Sequence, residues 1–312
     1  MKIAYNLPAT PLKELTYVAL GSFDGVHLGH QALISYAVAE GKKAKGSSVV
    51  LTFEPHPLKV LNPEQPLNLL LSNRLKANRI AALKPDQLIF LPFTFDLANK
   101  TPEEFAVMLK KSLNPHALVV GFDYSFGKGG SGKPELLKML GKNLGFEVHI
   151  IPAQNYKDNP ISSTRIRQAL TTGDIALARQ LLGYWPLLEG TVMDGEKRGR
   201  KLGFPTANIK VEDFVLLPRE GVYAAKVYLG SFEYLGVVNI GRKPTFSEGR
   251  MKGVEVHIID FQKDIYGDNV ELQLLSRVRS EKKFQNPAQL IQQIQRDIVT
   301  AQHILIKTEA EA

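Results

Sequence analysis

Two histidines stand three residues apart near the start of the chain, inside a glycine-containing segment. The segment runs from Gly21 to His30 and reads Gly-Ser-Phe-Asp-Gly-Val-His-Leu-Gly-His, with the first histidine at His27. At this spacing both imidazoles can face one side and donate to phosphate oxygens as charge builds in a transition state. The segment is neither a GxxxxGK phosphate loop nor a GxGxxG dinucleotide fingerprint, which disfavours P-loop NTPases and ordinary dehydrogenases. The pattern therefore predicts a phosphate-binding site of another type.

The elements around these histidines predict a helix that begins beside them. The apolar run from Tyr17 to Leu20 predicts a strand, Gly21 and Gly25 mark a turn, and a helical pattern begins at about Gly29. The free N–H groups and positive dipole end of such a helix stabilise anions, and glycines let the backbone approach a polyphosphate. The segment resembles the HxGH signature of the nucleotidyltransferase α/β fold. The alternative, two ordinary loop and cap histidines, is disfavoured by the whole context.

Two later loops have compositions that suit a flat, stacked ligand and a pyrophosphate. The loop from Gly121 to Gly130 carries Asp123 among the aromatic residues Phe122, Tyr124 and Phe126, which suits a flat, stacked ligand with a polar edge.

The segment from Ile161 to Arg167 leads into a helix that ends near Leu170, and its hydroxyl residues can cap that helix. Its two arginines oppose the helix dipole, so capping alone leaves them unexplained. Hydroxyl and guanidinium groups at a helix N-terminus suit a pyrophosphate.

Strands and helices alternate through the first half of the chain. Further strands are expected at 48–53, 87–91, 117–121 and 147–151, and helices at 73–83, 102–112 and 134–144. This alternation predicts right-handed βαβ units in a doubly wound parallel sheet, a fold of the α/β class. Ligands bind such sheets at the carboxyl ends of the strands, where the loops described above begin.

The pattern changes after residues 181–187. Strands are expected at 189–193, 221–229, 233–240, 254–260 and 269–275, followed by one closing helix at 287–306. Several antiparallel strands at short spacing predict a small β-barrel. We place the domain boundary near Gly183 to Pro186, which gives domains 1–184 and 185–312.

The predicted barrel contains a basic loop from Gly195 to Gly203. Backbone N–H groups and the basic side chains of this loop can wrap a triphosphate, although a bare hairpin tip is the alternative. Its basic residues are Lys197, Arg198, Arg200 and Lys201. Shortly after the loop, Thr206 and Asn208 offer two neutral oxygens that suit a magnesium ion whose other ligands are phosphate and water.

Glu255 alternates with Val254 and Val256 along a predicted strand and therefore points away from them. On the barrel interior it would be a carboxylate able to take a proton from a hydroxyl that attacks a γ-phosphate. On the exterior it would be an ordinary solvated residue.

These motifs resemble one family across nearly the whole chain. The HLGH stretch, the Phe-Asp-Tyr-Ser-Phe-Gly loop and the ISSTRIR segment are similar to the adenylyltransferase half of the bacterial bifunctional riboflavin kinase/FAD synthetases. The Gly-Phe-Pro-Thr-Ala-Asn stretch and the Glu-Val-His triplet resemble their riboflavin kinase module. The resemblance implies an FMN adenylyltransferase domain at 1–184 and a riboflavin kinase domain at 185–312, with ATP as co-substrate and riboflavin, FMN and FAD as substrates or products.

The resemblance also implies a role for each motif residue. His27, His30 and Arg167 would stabilise adenylyl transfer, and Glu255 would be the base of the kinase reaction. Thr206 and Asn208 would bind Mg²⁺ as well as ATP. The other residues expected to contact ATP or flavin are Gly21, Phe23, Asp24, Gly29, Asp123, Ser163, Thr164, Gly195, Lys201 and Gly203.

Composition limits the remaining classes of function. The chain has 312 residues and no cysteine, which excludes disulfides, thiolate metal sites and cysteine nucleophiles. It shows no signal-peptide pattern and no apolar run of membrane-spanning length, so we expect a cytoplasmic protein without a membrane partner. We expect a monomer or weak homo-oligomer.

Two alternatives to the flavin enzyme remain at this point. One is a nucleotidyltransferase for another phosphate ester, with a cytidylyl or pantetheine-type substrate and the barrel as a specificity module. The other is an RNA-binding protein, suggested by the net charge of +8. The basic residues are scattered rather than clustered, so we expect no nucleic-acid partner.

Overall fold

The computed structural model describes residues 1–65, 67–194, 199, 202–242 and 252–310. The chain divides into two compact units. The first unit is formed by Met1–Asn68 and Asn73–Ser162, and the second by Leu69–Ser72 and Ser163–Ala312. No helix in the described ranges combines the length and the apolar character that crossing a bilayer requires.

The first unit is a six-stranded sheet with helices packed against it. Its strands are β1 (Lys2–Ala4), β2 (Thr16–Leu20), β3 (Ser47–Glu54), β4 (Gln87–Pro92), β5 (Pro115–Gly121) and β6 (Glu147–Ile151), followed by the hairpin β7 (Asn155–Tyr156) and β8 (Asn159–Pro160). Its helices are α1 (Leu28–Lys43), α2 (Pro57–Leu61), α3 (Asn73–Ala81), α4 (Phe95–Ala98), α5 (Pro102–Leu113) and α6 (Pro134–Leu144). The sheet order is β1-β4-β3-β2-β5-β6, and every pair is parallel.

The central strands are buried on both faces because they are almost entirely apolar. Val18, Ala19 and Leu20 of β2 are at most 1% exposed. The strands β2 and β5 are neighbours, and the connection after β2 leads to β3 on one side, whereas the connection after β5 leads to β6 on the other. Ligands of such sheets bind at the carboxyl ends of the strands where this switch occurs. The loops after β2 and β5 are thus placed at the expected ligand edge.

The second unit is a closed antiparallel barrel with helices before and after it. It contains α7 (Ser163–Thr172), α8 (Ile175–Leu182), β9 (Leu187–Met193), β10 (Ala207–Lys210), β11 (Gly221–Leu229), β12 (Phe232–Arg242), β13 (Lys252–Ile258), β14 (Asn269–Arg279) and α9 (Pro287–Ala310). The barrel order is β10-β13-β12-β11-β14-β9, and β9 also pairs with β10 to close the ring.

The long C-terminal helix α9 packs on the outside of the barrel. Ala301 of α9 is fully buried and belongs to one apolar cluster with Val222, Ala224 and Val237 of the barrel strands. Further along the helix, Asp297 is only 2% exposed and forms a bidentate ion pair with Arg279 at the end of β14. The apolar cluster and the buried ion pair together attach α9 to the strands.

The predicted architecture is confirmed in both halves: a parallel α/β sheet, an antiparallel barrel and a closing helix. The sequence patterns missed β1, β10 and several short helices. The strand β10 has only four residues, and of these only Ile209 is buried. An element so short carries too little alternation to be recognised, and it forms because β9 and β13 pair with it on either side.

Candidate active sites

The turn between β2 and α1 ends at the first predicted histidine, His27, and the second, His30, lies in the first turn of α1. Its backbone takes left-handed φ angles at Phe23 (49°), Gly25 (78°) and Val26 (36°). Such angles cost residues with side chains about 1–3 kcal/mol each and persist only where the surroundings enforce them. The side chains of Phe23 and Val26 are at most 1% exposed, and their burial holds the turn. The turn makes His27 the N-cap residue of α1.

The two histidine rings stack on each other at the start of α1. Their centroids lie 3.6 Å apart, and their planes differ by 19°. Nδ1 of His27 accepts a hydrogen bond from the backbone N–H of His30 at 3.4 Å, so the proton of the neutral His27 ring lies on Nε2. Nδ1 of His30 is buried without a hydrogen-bond partner in the part of the chain that the structure describes.

Burial lowers the pKa of both histidines. The pKa of His27 falls to about 4. The pKa of His30 falls well below its usual range, first because of burial and then because of the charges of His27 and Lys76. Both rings are therefore neutral at neutral pH, and each can donate an N–H group. A bound polyphosphate would raise both pKa values, since a nearby negative charge favours the protonated form.

Gly21 and Gly29 leave room for the rings beside them. A Cβ atom on Gly29 would lie 3.2 Å from both Cε1 and Nδ1 of His27. A Cβ atom on Gly21 would lie 2.9 Å from Cε1 of Phe23. Asp24, in the same turn, is 2% exposed. The structure thus brings together all the residues predicted between Gly21 and His30.

The loop after β5 has aromatic residues both in the core and on the surface. Phe126 is 5% exposed and packs against Phe105 of α5, with ring centroids 5.7 Å apart. Phe122 is 49% exposed, and Asp123 beside it is exposed as well. Phe126 is therefore a core residue, whereas Phe122 and Asp123 lie on the surface.

The predicted pyrophosphate-binding residues lie at the beginning of α7. The helix begins at Ser163, Thr164 is exposed in its first turn, and Arg167 follows one turn later and is half-buried. One helix end thus carries both hydroxyls and the guanidinium. These residues belong to the second compact unit, whereas His27 and His30 belong to the first.

Three polar side chains form a row across neighbouring strands of the barrel. Asn208 of β10 stands directly opposite Glu255 of β13, and Glu255 stands opposite Asn239 of β12. Residues opposite one another in antiparallel strands point to the same face. All three are half-buried. The pairing therefore places one carboxylate between two amides, one of which belongs to the predicted magnesium pair.

This row lies on the outer face of the barrel. Val254 and Val256, on either side of Glu255, are at most 2% exposed and point to the opposite face. Val237, on the same face of β12 as the asparagine of the row, packs against Ala301 of α9, and a helix packs only on the outside of a closed barrel of this size. The interior position considered for Glu255 is thus corrected. The residue is also not an ordinary solvated one, because it is half-buried within the row.

A cavity of about 440 Å³ opens beside Thr206. Its volume falls within the range that small-molecule sites occupy. Its other lining residues are Val192, Pro205, Ala207, Val256, Ile258, Phe261, Gln262, Lys263, Asp264, Ile265 and Tyr266. The exposed Thr206 hydroxyl therefore stands at a cavity that could hold part of a nucleotide.

His257 ties the segment that carries Thr206 to β13. Its Nδ1 donates a hydrogen bond to the carbonyl oxygen of Pro205 at 2.8 Å, and its ring meets that of Phe204 edge to face. The sequence motifs indicate no role for His257 or for Asn239. The pairing of distant strands reveals the positions of both residues. For His257 the sequence offered one signal, because a residue two positions after Glu255 on a strand lies on the same face.

Part of the predicted kinase site lies outside the described residues, namely Gly195, Lys197, Arg198, Arg200 and Lys201. Gly203 is described and takes a left-handed φ of 86°. Within the described ranges, no group of three or more His, Cys, Asp or Glu side chains could hold a metal ion. The hydroxyl and amide oxygens of Thr206 and Asn208 fit a magnesium ion that takes its other ligands from phosphate and water.

Comparison with known proteins assigns each half of the chain to a known enzyme family. Residues 10–165 match the family model described as FAD synthetase, and residues 182–305 match the one described as riboflavin kinase. A bifunctional riboflavin kinase/FMN adenylyltransferase from Listeria monocytogenes is 41% identical over 281 residues, which cover 90% of this chain and 89% of that protein. A protein of the same description from Escherichia coli K12 is 36% identical over 299 residues, 95% of each chain.

The fold likeness extends over the same length. A crystal structure from Streptococcus pneumoniae, described as a macrolide-efflux protein, matches with a TM-score of 0.84 at 34% identity and covers 94% of this chain and 98% of that one. Both family models and the relatives from Listeria and Escherichia agree on the two flavin modules in this order. The chain therefore belongs to the bifunctional riboflavin kinase/FMN adenylyltransferase family and is an enzyme with an FAD synthetase module and a riboflavin kinase module.

Proposed function

We propose that the residues identified above carry out the two reactions of the family in sequence. The barrel transfers the γ-phosphoryl group of ATP to riboflavin and yields FMN and ADP. The HxGH site then transfers AMP from a second ATP to FMN and yields FAD and pyrophosphate. The observation that supports the kinase assignment most directly is the row of Asn208, Glu255 and Asn239 across three neighbouring strands of the barrel.

In the kinase step, Glu255 acts as the general base. Its carboxylate accepts the proton of the terminal ribityl hydroxyl while the hydroxyl oxygen attacks the γ-phosphorus and the bond to ADP breaks. Thr206 and Asn208 would hold Mg²⁺ together with the ATP phosphates. The bound ion would neutralise charge on the transferring group. His257 keeps Thr206 in place through its hydrogen bond to Pro205.

In the adenylyl transfer step, the FMN phosphate attacks the α-phosphorus of ATP, and pyrophosphate leaves. No general base is required because the FMN phosphate is already ionised. The neutral rings of His27 and His30 donate hydrogen bonds to the phosphate oxygens and stabilise the developing charge. The residues expected to complete the site are Ser163, Thr164 and Arg167 for pyrophosphate and Asp123 for the flavin.

The experiment that tests this assignment follows the flavins over time. The purified protein is incubated with riboflavin, ATP and Mg²⁺, and the flavins are separated by chromatography. We expect FMN first and FAD second. FMN without FAD would contradict the assignment of the histidine site, and the absence of both would contradict the whole proposal.

The Glu255→Gln variant separates the two activities. We expect it to lose riboflavin phosphorylation by about 10²- to 10⁴-fold, the usual contribution of a general base. It should retain FAD synthesis from supplied FMN, because that reaction uses the other site. Glu212→Gln, which alters an exposed glutamate, is the matched control. Full kinase activity of Glu255→Gln would exclude this residue as the base.

We further propose a cytoplasmic enzyme that is monomeric or weakly self-associating and has no nucleic-acid partner. The scattered distribution of basic residues supports the last point. Light scattering over a range of concentrations tests the oligomeric state. Tight RNA binding with a steep salt dependence would contradict the absence of a nucleic-acid partner.

A further inference from the structure

Lys76 is a buried lysine that the proposed mechanism does not use. It lies on α3, and only 1% of it is exposed. Lysine is almost never fully buried unless a partner compensates its charge. On the same helix, Leu75 and Ile80 are also at most 1% exposed. Lys76 is therefore a charged residue among the buried residues of α3. Such a placement requires a reason beyond packing.

The amino group of Lys76 forms a hydrogen bond with the turn that leads to the histidines. Its Nζ donates a hydrogen bond to the carbonyl oxygen of Ser22 at 3.2 Å. The same oxygen accepts a second hydrogen bond, at 2.9 Å, from the hydroxyl of Thr52 on β3. Ser22 lies directly before Phe23, the first residue of the turn with a left-handed φ. Donors from two different elements thus converge on one backbone oxygen of the turn.

The charged groups around Lys76 come from each of the neighbouring elements. Asp24 of the turn and Glu54 at the end of β3 favour its protonated form, whereas Lys59 of α2 opposes it. Burial is the largest effect and lowers the pKa of Lys76. The charge of Lys76 in turn lowers the pKa of His30 on α1. The ammonium group is therefore close enough to act on the site electrostatically.

We propose that Lys76 is a positioning residue for adenylyl transfer, which holds the histidine turn through the Ser22 carbonyl and places a fixed positive charge beside His30. This inference rests on the proposed function of His27 and His30. Burial keeps the His30 ring neutral in the free enzyme, and the charge of Lys76 adds to this effect and favours the polyphosphate when it binds. The two hydrogen bonds to Ser22 hold the turn in the shape that directs both rings toward the phosphates.

The test compares two variants that separate the hydrogen bond from the charge. Lys76→Gln removes the charge and retains an N–H donor, whereas Lys76→Met removes both. The pKa of His30 is measured by NMR titration of its ring, with the signal assigned through His30→Gln. We expect this pKa to rise in both Lys76 variants, because a positive neighbour is lost. We also expect kcat/KM for FAD synthesis to fall by about 10- to 100-fold in Lys76→Met and by less in Lys76→Gln.

Thr52→Val is the matched control, because it removes the other donor to Ser22 and leaves the charge in place. It should weaken FAD synthesis without changing the pKa of His30. Riboflavin kinase activity, measured on the same chain, reports whether the second unit is intact, and thermal unfolding reports on the first. An unchanged His30 pKa in either Lys76 variant, or wild-type FAD synthesis in Lys76→Met, would overturn the inference. Failure of both Lys76 variants to fold would also count against it, because the role would then be purely structural.

The proposed function can fail independently of this inference. If His30→Gln keeps full FAD synthesis, the histidine assignment itself is wrong. If His30→Gln loses the activity while Lys76→Met keeps it, only the role of Lys76 is wrong.

Discussion

His27 is a residue whose protonation depends strongly on the fold. In the folded chain its pKa is lowered by burial from 6.5 to about 4. Between these values the unfolded chain binds more protons than the folded chain, so folding stability falls as the pH falls from about 6.5 toward 4. At about pH 5 the loss amounts to roughly 2 kcal/mol. A site built from neutral imidazoles therefore makes the first unit sensitive to acid.

We predict that His27→Gln removes the part of this acid sensitivity that His27 contributes. When the pH falls from neutral to about 5, the unfolding free energy of the variant should fall by about 2 kcal/mol less than that of the wild type, because glutamine does not titrate. Amide hydrogen exchange in β2 and α1 measures the change. His303→Gln, at an exposed position on α9, is the control and should show no such gain. Identical pH profiles for His27→Gln and the wild type would contradict the prediction.

The helix α1 shows how an element presents the site. Its N-terminus carries His27 as the cap, and Gly29 in its first turn leaves space for that ring. Gly41 in the last turn of the same helix has no neighbour closer than 3.5 Å to an added Cβ atom, which is ordinary contact. The two glycines of one helix thus differ in the space around them, although the helical pattern does not distinguish them.

We predict that Gly29→Ala lowers FAD synthesis by about 10-fold, because the added methyl group displaces the His27 ring by a few tenths of an ångström. Its effect on stability should be neutral or favourable, since alanine gains up to about 1 kcal/mol over glycine within a helix. Gly41→Ala should share the gain in stability and keep the activity. Measured kcat for FAD synthesis and thermal unfolding distinguish the two. A fully active Gly29→Ala would show that the His27 ring need not be held so closely.

The helix α9 is held by the buried ion pair between Asp297 and Arg279 in addition to its apolar contacts. Asp297→Ala leaves the guanidinium of Arg279 without its bidentate partner. We predict a loss of about 3–5 kcal/mol in the unfolding free energy of the second unit, as for other buried pairs from which one partner is removed. Glu309→Gln breaks the more exposed contact to Lys226 and should cost less than about 1 kcal/mol. Urea unfolding of both variants tests the contrast, and equal losses would contradict it.

For the whole molecule, the presence of two modules on one chain makes FMN both a product and a substrate. Each compact unit has its own buried core, and the residues proposed for phosphoryl transfer all lie in the second unit. The histidines proposed for adenylyl transfer, His27 and His30, lie in the first unit. A defect in Glu255 should therefore leave the histidine site intact, and a defect in His30 should leave the kinase row intact.

We predict that two defective variants restore FAD synthesis when mixed. Glu255→Gln alone should make no FAD from riboflavin, and His30→Ala alone should stop at FMN. In the mixture, FMN released by His30→Ala reaches the histidine site of Glu255→Gln. Flavin chromatography of the mixture and of each variant alone measures this. A mixture that accumulates FMN without FAD would indicate that released FMN is not used.

Local sequence patterns were sufficient to predict the two fold classes and to propose most side chains of the candidate sites. Strand periodicity, the glycine turn before α1 and the hydroxyl-rich start of α7 involve residues close together in the chain, so their arrangement follows from local geometry. The chemical class of the ligand follows in the same way. Neighbouring imidazoles, helix N-termini and glycines all suit phosphate.

Long-range pairing determined the rest. The outer-face position of Glu255 and its alignment with Asn208 and Asn239 depend on the register between strands that are distant in sequence. The contact of Lys76 with Ser22 joins residues 54 positions apart, and no periodicity in α3 indicates it. The sequence thus determined which chemical groups were available and which elements carry them. The tertiary structure decided which of these groups meet, because the pairing of strands and the burial of a charge depend on the packing of the whole unit.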